Sequence, residues 1–131
     1  MRRAGLLHAE LLEVIAGLGH GQILVIADAG LPIARQVRRI DLAIRPGLPD
    51  LLSVLEVVLE EGVFEAATIA TELPLSGTHV AGAIIGRLEQ LLVEQVPHAE
   101  LKRLAAESVA VVRTGEYTPY ANVALRAGVP F

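Results

Sequence analysis

The sequence lacks cysteine and has no long uncharged stretch, and each of these absences excludes certain kinds of site or protein. There is no cysteine among the 131 residues, which excludes disulfides, thiolate metal sites and cysteine nucleophiles. A chain without cysteine suits a reducing compartment, so we expect a cytoplasmic protein. No stretch free of Asp, Glu, Lys and Arg exceeds 14 residues, the length reached by both Val14–Ala27 and Leu73–Gly86. A membrane-spanning helix needs about 20 apolar residues, so we expect no membrane segment.

Positive charge is also in short supply. Lysine and arginine number 11 against 15 aspartates and glutamates, which gives a net charge of -4. A surface that binds phosphates needs the opposite balance, so we expect no nucleic-acid partner.

Apolar residues, in contrast, are abundant. They make up 53% of the chain, and the mean hydropathy is +0.53. A chain of this length can bury a sizeable core, so we predict one domain over residues 1–131. Apolar residues in excess of what a core requires are typical of subunit interfaces, and we therefore expect a homo-oligomer.

The first half of the chain alternates helical and strand patterns. Apolar residues recur at helical spacing between Leu7 and Leu18, and Ile23–Ala27 is a continuous apolar run typical of a central strand. The next predicted elements are a strand at Val37–Ile44, a helix from the N-cap Asp50 to about Glu60, and a strand at Val63–Thr71.

The second half continues the alternation. We predict a long helix from Thr78 to Leu92, a short helix after Pro97, and strands at Val109–Val112 and Asn122–Arg126. Helices that alternate with strands predict the α/β class, here a single central, mostly parallel sheet with helices on both faces.

Three polar clusters lie at the predicted boundaries of these elements. His20 and Asp28 flank the first strand, His98 opens a helix, and Tyr120 and Asn122 lie at the start of the last strand. Open α/β sheets bind ligands at the carboxyl ends of their strands. Histidine is suited to proton transfer near neutral pH, so these clusters predict an acid–base site.

Each of these residues also has a purely structural interpretation. The turn backbone could satisfy His20, an Asx turn could account for Asp28, and His98 could simply start a helix. Tyr120 and Asn122 could belong to an ordinary strand start with the tyrosine ring in the core. The residue types alone leave both interpretations open.

Motifs for nucleotides and metals are absent. Gly17–Gln22 lacks the third glycine of a dinucleotide-binding turn, and the four histidines do not have metal-ligand spacing. We therefore predict no metal site.

The clusters, taken together, resemble the D-ribose pyranase family and, more distantly, the fucose mutarotases. The resemblance covers nearly the whole chain and is carried by Ile15–His20, Asp28–Ile33, Arg38–Ala43, Pro97–His98 with Lys102, Arg113–Glu116, Thr118–Asn122, and Gly128–Val129 with Phe131.

The resemblance implies interconversion of the pyranose and furanose forms of β-D-ribose by general acid–base ring opening and closure. It implies no metal or organic cofactor, a cytoplasmic ring-shaped homo-oligomer that is typically a decamer, and a cleft between adjacent subunits. By the same resemblance, His20 is the proton donor, and the sugar-binding residues are Asp28, His98, Lys102, Tyr120 and Asn122.

One dipeptide departs from the family pattern. Gly21–Gln22 stands where ribose pyranases usually have Thr-Asp, and the resulting Gly-His-Gly is closer to fucose mutarotases. A fucose-type mutarotase and a non-catalytic sugar-binding regulator are therefore the alternative functions.

Overall fold

One mixed sheet of six strands organises the computed structural model, which describes all residues from Met1 to Phe131. The strands are β1 (Ile23–Ala27), β2 (Arg38–Asp41), β3 (Phe64–Ala70), β4 (Leu92–Val96), β5 (Ala110–Arg113) and β6 (Val123–Ala127). Their order is β2-β5-β1-β6-β3-β4. Only β6 runs antiparallel to its neighbours, β1 and β3. The predicted mostly parallel sheet is confirmed.

Five helices accompany the sheet: α1 (Ala9–Gly17), α2 (Leu51–Glu61), α3 (Glu72–Leu75), α4 (His79–Arg87) and α5 (His98–Ala106). The core has two parts, one on each face of the sheet, because successive residues of β1 point to opposite faces. Leu24 and Ile26 join a cluster of 22 buried residues that includes α1, α2 and α4. Val25 and Ala27 join a second cluster of 9 buried residues that includes α5. The prediction of helices on both faces is therefore also confirmed.

The prediction of a long helix from Thr78 to Leu92 is wrong in its second half. Thr78 does cap α4, since its hydroxyl accepts a hydrogen bond from the Ala81 N–H at 3.2 Å. The helix ends at Arg87, however, and Leu92–Val96 forms the edge strand β4, which pairs with β3. Helix-weakening Gly82 and Gly86 permit the early end, and the pairing with β3 stabilises the strand.

Two further boundaries differ from the prediction. The predicted strand at Val37–Ile44 is shortened to Arg38–Asp41, because Ile44 and Arg45 turn back to hydrogen-bond with Leu48. The segment after β3 contains the short helix α3, which the pattern did not predict; Pro74 lies within it.

The direction of the strands defines two ends of the sheet. At the carboxyl end, β1 to β5 finish and β6 begins; at the amino end, β1 to β5 begin and β6 finishes. Turns at the carboxyl end therefore bring together residues that are distant in sequence. None of the helices combines the length and apolar character that a membrane span requires.

Candidate active site

A cleft of about 500 Å³ opens at the carboxyl end of the sheet. Its size is within the range of small-molecule sites, roughly 300–1,000 Å³. The turns that follow β1 and β5 and the start of α5 form its walls, and the lining residues are Asp28–Pro32, His98, Lys102, Arg113 and Glu116–Tyr120. Polar groups from three separate parts of the sequence thus converge here.

Asp28 is held in the cleft by Asn122, which is completely buried. The Asp28 N–H donates to Asn122 Oδ1 at 2.9 Å, and Asn122 Nδ2 donates to Asp28 Oδ2 at 2.9 Å. Because a backbone N–H can only donate, this pairing also fixes which way the amide points. The other carboxylate oxygen, Oδ1, accepts from the Gly30 N–H at 2.9 Å, which is an Asx turn. Each oxygen retains acceptor capacity for a ligand.

His98 and Tyr120 stand against each other in the cleft. Their rings meet edge to face, with centroids 5.1 Å apart. Tyr120 has a φ of 64°, a left-handed conformation rare for residues other than glycine, and such backbone strain is concentrated at functional sites. The Nδ1 atom of His98 is buried and has no hydrogen-bond partner. The pair thus brings a phenol and an imidazole with an unpaired, buried nitrogen to the cleft wall.

Glu72 fixes the start of the helix that carries His98. Its two carboxylate oxygens accept from the His98 N–H at 3.0 and 3.2 Å. Hydrogen bonds from the backbone N–H groups, first that of Glu72 itself and then that of His98, lower the pKa of this carboxyl group from its ordinary value. A carboxylate here caps an otherwise uncapped helix and anchors the cleft wall to the short helix α3.

Two cationic side chains border the cleft, and only one of them is already paired with protein groups. The Arg113 guanidinium is engaged, since Nε donates to the Ala29 carbonyl at 3.0 Å and Nη1 donates to both oxygens of Asp41 at 3.1 Å. Lys102 is exposed on α5 and has no ion-pair partner. Lys102 is therefore the cation available to a ligand's hydroxyl oxygens.

The segment Arg113–Glu116 supports the cleft from below. The Thr114 hydroxyl donates to the Ala27 carbonyl at 2.8 Å. A Cβ on Gly115 would lie 2.6–2.7 Å from backbone atoms of Arg45 and Leu48, so only glycine fits. The buried Glu116 carboxylate accepts from the Leu51 N–H at 3.1 Å and from the Thr118 hydroxyl at 2.9 Å. This segment therefore packs against the start of α2 and against the turn that follows β2, and it connects both to the cleft.

His20 lies at the other end of β1. Its Nε2 is 3.0 Å from Glu65 Oε2, and the His20 side chain is 58% exposed. Arg126 Nε lies 3.0 Å from the second oxygen of Glu65. The hydrogen bond with His20 is the largest cause that lowers the pKa of the Glu65 carboxyl group from its ordinary value. Within one protomer, His20 is absent from the cleft lining.

The six residues singled out from the sequence therefore separate into three groups. Asp28, His98, Lys102 and Tyr120 line one cleft, Asn122 lies behind Asp28, and His20 is at the amino end. No group of three histidine, aspartate or glutamate side chains is arranged to hold a metal ion.

Sequence reasoning missed three glutamates that hold this site in place: Glu65, Glu72 and Glu116. Glu116 could have been found, because it is an acidic residue in the Arg113–Glu116 segment that the resemblance already singled out. Glu65 and Glu72 have no local signal, since their partners are 45 and 26 residues away.

Known proteins match this chain over its full length. Residues 1–130 match the RbsD / FucU transport protein family. The D-ribose pyranases of Symbiobacterium thermophilum and Variovorax paradoxus are 51% and 55% identical to this chain, with full coverage of both sequences in each case. Bacillus subtilis RbsD, solved in complex with D-ribose, is 40% identical and superposes with a TM-score of 0.95 over the full length of both chains.

A fucose mutarotase is a more distant match. The Streptococcus pneumoniae enzyme, solved with L-fucose, is 22% identical, with a TM-score of 0.73 over 95% of this chain and 94% of that chain. At that identity the likeness extends to the fold alone. The Gly21–Gln22 dipeptide has a local explanation: Gly21 has a φ of 82°, and Gln22 Oε1 accepts from the Gly19 N–H at 2.7 Å. Both residues shape the turn that carries His20.

Proposed function

Because the chain belongs to the RbsD / FucU transport protein family, we propose that it is a D-ribose pyranase that interconverts the pyranose and furanose forms of β-D-ribose. The observation that carries this proposal is the cleft at the carboxyl end of the sheet, where Asp28, His98, Lys102 and Tyr120 converge. Full-length identity to ribose pyranases supports the choice of ribose.

The cleft has the groups that a small polyhydroxyl ligand requires. Asp28 accepts hydrogen bonds from sugar hydroxyls, and Lys102 donates to hydroxyl oxygens. His98 and Tyr120 each add a polar atom beside a ring. Aromatic residues make up only 3% of the chain, so recognition depends on hydrogen bonds more than on stacking.

The reaction requires only proton transfers between positioned groups. A proton is delivered to the ring oxygen as its bond to C1 breaks, and the anomeric hydroxyl loses a proton to become the carbonyl. Closure reverses this traffic: another hydroxyl adds to C1 and loses its proton, and the carbonyl oxygen gains one. Positioned acids and bases contribute about 10²- to 10⁴-fold each, which is adequate for a reaction that already proceeds in water.

The proton donor in this proposal is His20 of an adjacent copy of the chain. In one protomer, the strand β1 and its flanking turns separate His20 from Asp28. A homo-oligomer that sets the amino end of one sheet beside the carboxyl end of another completes the site. Large apolar residues that are exposed in the protomer support such an assembly, among them Leu75 at 84%, Ile44 at 76% and Tyr117 at 70%.

The assembly we propose is a cytoplasmic decamer with one cleft at each junction between copies. Light scattering coupled to size-exclusion chromatography measures the particle mass directly. A mass of ten chains of 13.9 kDa supports the decamer, whereas a monomer would overturn the shared site.

Exchange NMR of ribose tests the activity. Added protein is expected to broaden the pyranose and furanose signals, and His20→Ala is expected to reduce this exchange by about 10²-fold or more. His79→Ala is the matched control, because His79 is an exposed histidine on α4 outside the cleft. Exchange that is unaffected by His20→Ala contradicts the proton-donor role.

A fucose-type mutarotase is the second candidate, favoured by the Gly-His-Gly sequence at residues 19–21. The same exchange measurement with ribose, fucose and allose separates the two, since the physiological sugar is expected to exchange fastest. Ribose binding in a calorimeter without any accelerated exchange would instead identify a non-catalytic sugar-binding regulator.

A further inference from the structure

We propose that Glu65 is a positioning residue for His20, holding a proton on Nε2 so that Nδ1 is the atom that exchanges protons with the sugar. This inference rests on the proposed function, because it concerns how the proton donor is oriented. Nothing in the sequence near Glu65 suggests such a role.

The first observation is the geometry of the pair. His20 Nε2 lies 3.0 Å from Glu65 Oε2, within hydrogen-bond distance. A carboxylate can only accept, so the imidazole must donate from Nε2. When one ring nitrogen donates to a fixed partner, the other is left to act on a ligand.

The second observation is the backbone that presents Glu65. Phe64 lies opposite Ala127 and Ala66 lies opposite Arg126, so Glu65 is an extra residue in β3, which is a β-bulge. Bulges re-aim side chains and are over-represented beside active sites. A Cβ on Gly128 would lie 3.3 Å from the Glu65 Cβ, so the glycine leaves room for this bulge.

The third observation is that both partners are restrained. The turn of His20 is tied to the end of β6, since the Gly21 N–H donates to the Ala127 carbonyl at 2.9 Å. Arg126 lies 3.0 Å from the second oxygen of Glu65, so this carboxylate faces one cation and one imidazole. The arrangement resembles the base and orienting carboxylate of other acid–base sites, in which the carboxylate sets the imidazole tautomer.

The spectroscopic test uses ¹⁵N-histidine-labelled full-length protein. Neutral His20 is expected to be the Nε2–H tautomer in the wild type and to become a mixture of tautomers in Glu65→Ala. A wild-type spectrum with the proton on Nδ1 would overturn the proposal, whatever the activity.

The kinetic test compares Glu65→Ala and Glu65→Gln with Glu56→Ala, a matched loss of a glutamate that pairs with Arg87 on the surface. Glu65→Ala is expected to lower kcat by roughly 10- to 100-fold, less than the full contribution of an acid–base group, with KM changed by less than about twofold. Glu65→Gln is expected to lower kcat by less than Glu65→Ala, because its amide oxygen can still accept from Nε2. Glu56→Ala is expected to leave kcat unchanged.

The outcomes separate this inference from the proposed function. If the wild type exchanges ribose and His20→Ala does not, but both Glu65 variants retain full kcat, only the role of Glu65 is wrong. An effect confined to KM would make Glu65 a sugar-contacting residue and also overturn its positioning role. If Glu65→Ala fails to fold, Glu65→Gln and the wild-type tautomer still decide the question.

Discussion

The two ends of β1 present their polar groups in opposite ways. At the carboxyl end, Asp28 is half-buried and joined by two hydrogen bonds to an amide with no exposed surface, that of Asn122. At the amino end, the side chains of His20 and Glu65 are 58% and 41% exposed, and a single 3.0 Å contact joins them. The carboxyl end is a cleft whose polar groups are held by buried hydrogen bonds, whereas the amino end presents an exposed histidine–glutamate pair.

This difference predicts different consequences of mutation. Removing one partner from a buried hydrogen-bonded pair leaves polar groups without a partner and costs stability. Exposed pairs contribute little to stability, because water replaces the lost contact. Mutations at the carboxyl end should therefore reduce both stability and binding, and mutations at the amino end should reduce catalysis alone.

The largest effect is expected beneath the cleft, from Gly115→Ala. The added Cβ would approach three backbone atoms of Arg45 and Leu48 within 2.6–2.7 Å, and backbone cannot yield as a flexible side chain does. We expect the free energy of unfolding, measured by urea denaturation, to fall by about 3 kcal/mol, toward the upper end for overpacking.

Gly86→Ala is the matched control for this substitution. Gly86 lies in α4, and a Cβ there meets no atom within 4 Å. Alanine favours helix over glycine, so this variant should be more stable by about 0.5–1 kcal/mol. If Gly115→Ala is as stable as Gly86→Ala, the close approach beneath the cleft is wrong.

The next largest effect compares the two ends directly, through Asn122→Ala and Glu65→Ala. Asn122→Ala leaves the Asp28 N–H and one carboxylate oxygen without their partner, and we expect a loss of about 1–3 kcal/mol together with weaker ribose binding. Glu65→Ala should change neither property appreciably. Urea denaturation and calorimetry measure the two quantities, and equal losses of stability in both variants would remove the contrast between the ends.

Local pattern predicted the elements that position the cleft. The apolar run Ile23–Ala27 forms the central strand, because an uninterrupted run of apolar residues favours a strand that is buried on both faces. The capping aspartate, Asp50, began α2 as expected, with its carboxylate accepting from the Ser53 N–H at 3.2 Å. The polar clusters also lay at element ends, as predicted.

What failed depends on contacts between distant residues. The edge strand β4 has no buried residue, and its sequence, Leu-Val-Glu-Gln-Val, lacks the apolar–polar alternation that marks a strand. Its parallel pairing with β3 stabilises the extended conformation. The hydrogen bonds between the Asn122 amide and Asp28 also escaped sequence reasoning, because they form only when β1 and β6 are neighbours. The sugar contacts themselves stay predictions.

The smallest effect is expected from acid titration of Glu72, which supports the His98 side of the cleft. Its pKa in the folded protein lies below the ordinary value of 4.5, so its contribution to stability is complete above that pH and is lost as the pH falls through the folded value. The stability difference between the wild type and Glu72→Gln should therefore shrink as the pH falls from about 6 to below 4.5. Urea denaturation across this range measures it, with exposed Glu60→Gln as the control. A difference that stays constant with pH would mean that the charge of Glu72 does not hold the first turn of α5. The restraint of the cleft residues at the carboxyl end would then depend on Asp28 and Asn122 alone.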